Sequence, residues 1–165
     1  MAPTEVPSRS AAPGPERTPA TGGARIAQLE LSIPLRWGDM DMMGHVSNTY
    51  YFRYMDEARV AWFERIGSRI DPTLDTFVVV HAACDFLIPL VYPGTVRIRM
   101  YRSEFGRSSL ATHYDMAMAG DERVWARGIA KLVWMSAANG RSRPIPEEVK
   151  TRICAVDRAD FGSTP

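Results

Sequence analysis

The sequence has little of several features that would narrow its function. Its 165 residues include only two cysteines and three histidines, and their spacing indicates neither a disulfide framework nor a zinc site. Lys and Arg number 20 against 19 Asp and Glu, so the charge balance gives no reason to expect a nucleic-acid partner or a membrane-surface helix. No stretch approaches the roughly 20 apolar residues of a membrane span. We therefore expect a reduced, cytoplasmic protein without a membrane segment, a metal or a redox cofactor.

The first residues also lack the large apolar side chains that a packed core needs. Residues 1–25 are rich in Ala, Pro, Thr and Gly, and such a segment cannot recover the entropy lost on ordering, so we predict a disordered tail. It has neither the basic start nor the apolar core of a secretory signal, and its acidic residues and prolines fit a transit peptide poorly. Residues 26–156 have the size of one domain. Residues 157–165 are expected to form a flexible C-terminal tail.

The most informative stretch is a long amphipathic helix predicted between Ser47 and Gly67. Either Ser47 or Asn48 can cap its first turn, and Gly67 can end it in a left-handed turn. Apolar residues recur there at intervals of three and four, which is the period of a helix with one buried face. The members of that face are Tyr51, Tyr54, Met55, Ala58, Ala61, Trp62 and Ile66.

Three groups that can move protons or orient water precede this helix: Asp39, Asp41 and His45. On their spacing alone, the two aspartates would be turn and cap residues that favour the helix dipole. Gly38 and Gly44 let the backbone bend at this point. The turn therefore needs a wider pattern before it indicates chemistry.

The remaining segments read as strands. Residues 29–37 alternate apolar with polar side chains, and Pro34 places that strand at a sheet edge or turns its nitrogen to the unpaired side. Residues 77–90 are almost continuously apolar, which predicts burial on both faces, by the helix and by a partner subunit. Three more strands follow at 96–101, 109–118 and 124–135, and a short helix start lies near 141–150. The order predicts an α+β fold in which one long helix packs against a curved antiparallel sheet of about five strands.

Residues 39–48, which read DMDMMGHVSN, resemble the Asp-x-Asp-x-x-Gly-His-Val-x-Asn signature of hotdog-fold acyl-CoA thioesterases of the 4-hydroxybenzoyl-CoA thioesterase type. The following Tyr50-Tyr51-Phe52 and Glu57-Ala58-Arg59 segments are also typical of that family. The resemblance extends from about residue 27 to residue 153. It departs at Ser47, where close relatives often carry Asn, a change that a cap position tolerates.

The resemblance implies a catalytic role for Asp41, either as a base that activates water or as a nucleophile that attacks the thioester carbonyl. It also implies that the backbone N–H of Asn48 stabilises the oxyanion at the start of the helix. His45 could orient Asp41 or water, or it could hold the bend through its backbone. Asp39 is expected to be structural.

Other residues are expected to bind the substrate, and two glutamates are alternative candidates for the catalytic carboxylate. Arg107, Ser108 and Ser109 resemble the family's Gly-x-Ser-Ser segment near the nucleotide portion of CoA, and Tyr51 is expected to line an apolar acyl pocket. Some hotdog thioesterases of a different clade place the catalytic carboxylate on the central helix, so Glu57 and Glu64 are the alternative candidates, although Glu57 could simply pair with Arg53 or Arg59. The resemblance further implies a homodimer or homotetramer whose active sites are shared between subunits.

The function predicted from these patterns is hydrolysis of an acyl-CoA to a free carboxylic acid and CoA. One alternative is an enoyl-thioester hydratase or dehydratase on the same fold, but the usual motif of those enzymes places His five positions after the Asp, whereas His45 lies four beyond Asp41. The other alternative is a hotdog protein that binds acyl-CoA without turning it over. The sequence does not identify the acyl group or distinguish CoA from acyl carrier protein.

Overall fold

A computed structural model of the chain describes residues 24–68, 71 and 73–157. Its helices and strands are, in chain order, β1 (Ile26–Pro34), α1 (Asn48–Arg65), β2 (Thr76–Phe86), β3 (Thr95–Arg102), β4 (Ser109–Met118), β5 (Ala126–Met135) and α2 (Glu147–Ala155). A single 3-10 turn at Trp37–Asp39 lies between β1 and α1. The two predicted tails lie outside the described residues, except for Ala24, Arg25 and Asp157.

The five strands form one antiparallel sheet in the order β1-β3-β4-β5-β2. Helix α1 packs against one face of this sheet, so the predicted α+β arrangement of one long helix on a five-stranded antiparallel sheet is confirmed. Both β1 and β2 are edge strands. The edge position predicted for the strand that contains Pro34 is therefore confirmed, because β1 pairs only with β3.

The first strand ends earlier than its alternating pattern predicted. Trp37 was expected to continue the buried face, but its side chain is 78% exposed and lies in the 3-10 turn. The cause is Asp39, whose carboxylate accepts the backbone N–H of Arg36 at 3.0 Å and bends the chain out of the sheet direction. The aspartate therefore overrides the strand pattern at this point.

Helix α1 has the predicted position and the predicted buried face. Gly67 follows it with a φ of 62°, the left-handed conformation that glycine adopts without strain. Six of the seven predicted core positions are buried, and Ala61 is half-buried. Ser47 occupies the N-cap, but its hydroxyl contacts the Thr49 hydroxyl at 3.2 Å and caps no backbone N–H group of the helix.

Strand β2 exposes much of its apolar surface in the described part of the single chain. Phe77 is buried against α1, whereas the apolar side chains that follow it are exposed to between 38% and 54%: Val78, Val79, Val80 and Phe86. The reason is that β2 is an edge strand and pairs only with β5. Burial of its second face by a partner subunit stays a prediction.

The C-terminal helix is fastened to the sheet by a polar cluster. The Arg102 guanidinium is 3% exposed and donates to the Asp157 carboxylate, with its Nε 2.9 Å from Oδ1. Gln28 also donates to Asp157, at 2.6 Å, and accepts the indole N–H of Trp62 at 3.0 Å. Asp157, the first residue of the predicted C-terminal tail, is thus bound to the sheet.

Candidate active site

The turn before α1 is held against the segment that follows β2. Val46 donates its backbone N–H to the Leu90 carbonyl at 2.9 Å, and Leu90 donates its own N–H to the Tyr51 hydroxyl at 3.1 Å. Met40 and Val46 form an antiparallel bridge that closes the turn. These contacts join the turn, the first helical turn and the Leu90 segment into one unit. The sequence pattern gave no sign of the Leu90 anchor, because it depends on tertiary contact.

Asp39 lies inside this unit and is 4% exposed. Its Oδ2 accepts the Tyr54 hydroxyl at 2.9 Å and the Arg36 N–H at 3.0 Å, and its carbonyl accepts the Ser47 N–H. Burial, together with the adjacent Asp39 carboxylate, raises the pKa of Tyr54 well above its ordinary value. The described contacts of Asp39 are those of a residue that holds the turn on the helix.

Asp41 lies on the outside of the same turn, with a side chain that is 34% exposed. Its Oδ1 accepts the Met43 N–H at 2.8 Å, while Oδ2 has no partner among the described residues. The Asp41 backbone also pairs with His45 and Gly44, whose hydrogen bonds to it measure 2.9 and 3.1 Å. One oxygen of this partly exposed carboxylate is therefore fixed by the turn, and the other has no donor among the described residues.

The imidazole of His45 is close to Asp41 without being hydrogen-bonded to it. Its Nδ1 lies 4.0 Å from Asp41 Oδ1 and 3.5 Å from the Val46 carbonyl, both at or beyond the limit of a useful hydrogen bond. The His45 carbonyl, in contrast, accepts the Asp41 N–H at 2.9 Å. The backbone of His45 thus supports the bend, and an orienting role for its ring stays a prediction.

Asn48 is the first residue of α1. In the described part of the chain, its backbone N–H finds no acceptor, and the Ser47 hydroxyl contacts Thr49 instead of capping the first turn. The first N–H groups of a helix have no acceptor within the helix and point outward at its N-terminal end. The helix dipole adds partial positive charge at the same end. This end of α1 can therefore bind an oxyanion, although its catalytic role stays a prediction.

Tyr51 lies one helical turn further on. Its ring is 2% exposed and meets the Phe86 ring edge-on, with 4.9 Å between the ring centroids. Burial raises the pKa of the Tyr51 hydroxyl, and the nearby Cys84 and Asp41 raise it further. Tyr51 thus links α1 to the Leu90 segment and to the end of β2, and direct contact with substrate stays a prediction.

Arg107, Ser108 and Ser109 lie at the other end of α1. The Ser108 carbonyl accepts the Trp134 N–H at 2.8 Å, Trp134 contacts Phe77 edge-on, and Phe77 stacks on Phe63 near the end of the helix. An 18-residue helix is about 27 Å long. A single chain therefore does not bring the predicted CoA-binding segment together with Asp41 and Asn48.

The alternative carboxylates lie in a groove between α1 and β1. The groove has a volume of about 420 Å³, and Leu31, Val60 and Glu64 are among its lining residues. Glu57 also lines it and lies 3.5 Å from the Nε of Arg53, the partner that the sequence suggested. Both glutamates are thus separated from the turn by at least two helical turns.

Two further properties bear on the chemistry of the described residues. They contain no group of three or more His, Cys, Asp or Glu side chains arranged to hold a metal ion. Neither α1 nor α2 is long and apolar enough to cross a membrane.

Comparison with known proteins identifies the family. Residues 35–153, a span that includes the turn, α1 and four of the five strands, match the thioesterase-like superfamily. The chain belongs to this superfamily. Its members' hotdog fold agrees with the strand order and with the single long helix described above.

Three similar proteins illustrate the relationship. The PA2801 protein of Pseudomonas aeruginosa superposes with a TM-score of 0.72 at 39% identity, over 77% of this chain and 98% of that one. A Thermus thermophilus thioesterase solved with coenzyme A and zinc gives a TM-score of 0.67 at 31% identity, over 77% and 92% of the two chains. The 1,4-dihydroxy-2-naphthoyl-CoA hydrolase of Synechococcus is 27% identical over 124 residues, which are 70% of this chain and 93% of that protein.

These relationships confirm the family resemblance, the hotdog fold and the predicted class of enzyme, a thioester hydrolase. The roles of Asp41, His45, Asn48, Tyr51 and the 107–109 segment stay predictions.

Proposed function

We propose that this thioesterase hydrolyses an acyl-CoA, with Asp41 as the reactive carboxylate and the start of α1 as the oxyanion site. The observation that carries the proposal is the state of Asp41: one oxygen accepts the Met43 N–H, the other has no donor among the described residues, and the helix that follows has no side-chain cap. The CoA-bound Thermus structure and the naphthoyl-CoA hydrolase support a CoA thioester as the substrate class.

The chemistry follows from what these groups can do. Acting as a base, Asp41 removes a proton from water, the hydroxide adds to the thioester carbonyl, and the resulting oxyanion is stabilised by the Asn48 N–H. Acting as a nucleophile, Asp41 adds directly to the carbonyl and expels the CoA thiolate, leaving an anhydride that water then cleaves. Because a thiol has a pKa of about 8.5, the thiolate leaves without a strong general acid in either route.

The CoA-binding segment supports a site built from two chains. If the exposed β2 edges of two copies pair antiparallel around a two-fold axis, the Thr76 end of one β2 lies beside the Phe86 end of the other. Ser108 lies near the first end through Trp134 and Phe77, and Tyr51 lies near the second through Phe86. The pairing would therefore bring Arg107 and Ser108 of one chain toward Asp41 of the other.

The test is thiol release from a panel of short, medium, long-chain and aryl CoA thioesters, with Asp41→Asn as the decisive variant. Asn retains a side-chain oxygen that can accept the Met43 N–H, so the turn should persist while the carboxylate is lost. We expect hydrolysis by the wild type, at least a ~100-fold loss of kcat in Asp41→Asn, and a milder loss in His45→Ala.

Two controls make the outcome decisive. Asp39→Asn removes the neighbouring carboxylate and is expected to lower stability rather than to abolish turnover in the molecules that fold, because Asp39 Oδ2 is occupied by Tyr54 and Arg36. Full activity in Asp41→Asn would move the site to Glu57 or Glu64. Binding of CoA esters without thiol release by the wild type would make the protein a non-catalytic binder instead.

A further inference from the structure

A row of charged side chains crosses all five strands on the face of the sheet that turns away from α1. Met100, the neighbour of Arg99 in β3, points into the core, so Arg99 lies on the opposite face. Arg99 Nε lies 2.7 Å from Glu30 Oε2, and Arg127 Nε lies 3.9 Å from Asp115 Oδ1. The members of this charge row are paired directly from strand to strand and alternate in sign: Glu30, Arg99, Asp115, Arg127 and Asp85.

The charge row ends at Asp85, on the free edge of β2, and the backbone there restricts how a second copy can pair. Leu87 donates its N–H to the Trp125 carbonyl, on the β5 side. Because the backbone groups of an antiparallel strand point alternately to its two sides, the odd-numbered residues from His81 onward also point theirs to β5. The even-numbered residues from Ala82 to Phe86 point their N–H and C=O groups to the free edge. A second β2 can therefore hydrogen-bond only to the even-numbered residues.

Two copies of β2 that pair antiparallel share a two-fold axis, and the residue on that axis lies opposite itself. With the axis at Ala83, Asp85 of one copy lies opposite His81 of the other, in a pair without backbone hydrogen bonds, where side chains come closest. An imidazole N–H can donate to a carboxylate in either charge state of the ring. Lys131, directly paired with His81 within the chain, adds a positive charge beside it.

Other positions of the axis leave Asp85 without such a donor. An axis one residue later would place Asp85 opposite Ala83, and an axis one residue earlier would place it opposite one of the valines that precede His81. An axis at Asp85 itself would bring two carboxylates together, which is unfavourable for residues directly opposite in a sheet. Only the axis at Ala83 therefore continues the alternation of charge from one copy into the next.

The same register also covers exposed apolar side chains. Val80 is 54% exposed and Phe86 is 42% exposed, and with the axis at Ala83 each lies next to the other in the second copy. The Thr76 end of each β2 then extends past the Phe86 end of the other. It reaches toward the Leu90 segment, which is bonded to the turn that contains Asp41.

We propose that two copies of this chain pair through β2 with the two-fold axis at Ala83, so that His81 of each copy donates to Asp85 of the other. This pairing rests on the proposed function, which builds the active site from two chains, and it specifies the register of that assembly. The charge row of each copy thus ends on a donor of the other copy instead of at an open edge.

Disulfide cross-linking locates the axis, because only the residue on the axis lies opposite itself. Three full-length proteins carry Cys154→Ser and a single cysteine: Ala83→Cys with Cys84→Ser, Ala82→Cys with Cys84→Ser, and native Cys84. We expect oxidation by copper phenanthroline to link the Ala83→Cys chains at least ~10-fold faster than either other protein. With the axis at Ala83, the two copies of residue 82, and likewise of residue 84, have Cα atoms about 8 Å apart. That separation exceeds the span of a disulfide.

Charge reversal tests the contact between His81 and Asp85. Asp85→Lys should raise the Kd of the dimer at least ~10-fold in analytical ultracentrifugation, and adding His81→Asp should restore association. Glu30→Lys is the matched control, because it reverses the carboxylate at the other end of the charge row and should leave the Kd unchanged.

Faster cross-linking at residue 82 or 84, or no covalent dimer of any of the three proteins, would overturn the proposed register. An unchanged Kd in Asp85→Lys, or an equal rise in Glu30→Lys, would overturn the contact between His81 and Asp85. Cross-linking at residue 83 by a protein that hydrolyses no CoA thioester would refute the proposed function and leave the register standing. Hydrolysis by a protein that cross-links elsewhere would do the reverse.

Discussion

The two aspartates ahead of α1 differ in their surroundings although a single residue separates them. Asp39 is 4% exposed, and two donors occupy one of its oxygens. Asp41 has a side chain that is 34% exposed and a single donor, on the oxygen turned toward the bend. A carboxylate that reacts needs an oxygen within reach of water or substrate, so the two positions suit different tasks: Asp39 holds the turn, and Asp41 can do chemistry.

The structural role of Asp39 can be tested by changing its hydrogen-bond donor Tyr54. We expect Tyr54→Phe to lower the free energy of unfolding by about 1.5 to 3 kcal/mol, because it removes the hydroxyl that donates to the buried Asp39 carboxylate. The measurement is urea denaturation at neutral pH. Tyr50→Phe is the control, since the Tyr50 hydroxyl bonds to no other described residue. Equal midpoints for Tyr54→Phe and the wild type would contradict this account of Asp39.

At the scale of elements, α2 depends on one carboxylate at its end. Burial by itself would raise the pKa of Asp157, but hydrogen bonds from Arg102 and Gln28 outweigh it and hold the pKa below its ordinary value. A carboxyl whose pKa is lower in the folded state stabilises the fold above its unfolded pKa of about 3.9. That contribution is lost as the pH falls through the lower, folded value.

The pH dependence of the free energy of unfolding should therefore reveal the contribution of Asp157. At pH 7 we expect Asp157→Asn to be less stable by about 2 to 4 kcal/mol, because the change leaves the Arg102 charge buried without its partner. As the pH falls from about 5 through the lowered pKa of Asp157, the wild type should lose this advantage and the two curves should converge. Urea titrations at a series of pH values measure the effect, with Glu148→Gln as an exposed control on the same helix. Parallel curves would show that Asp157 does not carry the acid sensitivity.

The sequence predicted some elements better than others, for physical reasons. Helix α1 was predictable because its own residues decide its buried face, and the edge position of β1 was predictable because Pro34 lacks a donor. The prediction for Trp37 was wrong because the alternation of apolar and polar residues carries no information about the hydrogen bond by which Asp39 bends the backbone. The contacts of Leu90 with Tyr51 and of Gly128 with Met55 could not be predicted, since each joins segments that are distant in the sequence.

At the scale of the whole molecule, the strand with the most exposed apolar surface is also the strand that would link two chains. Val78, Val80 and Phe86 are each more than 40% exposed on β2, and an edge strand of this kind readily pairs with another chain. The 107–109 segment and Asp41 lie at opposite ends of α1 within one chain. The proposed shared site and the exposed edge are therefore accounted for by the same antiparallel pairing.

Mixed dimers test the shared site directly. Differently tagged Asp41→Asn and Arg107→Glu chains are co-expressed, and the mixed species is purified through both tags. Each parent should be strongly impaired, whereas the mixed dimer should regain about half of the wild-type kcat, because one of its two sites combines an intact Asp41 with an intact Arg107 from the other chain. If each site used residues of one chain only, mixing would restore no such activity.

The burial of Cys84 has a consequence for the fidelity of the enzyme. Cys84 is paired across the sheet with Gly128, and burial raises the pKa of its thiol to about 12. At neutral pH the thiol form then prevails, whereas the thiolate is the form that attacks thioesters and disulfides. If an acyl-CoA binds at the start of α1 as proposed, a thiolate at this position would be able to capture its acyl group or form a mixed disulfide with CoA disulfide. Keeping the Cys84 sulfur protonated would then protect the enzyme from self-acylation.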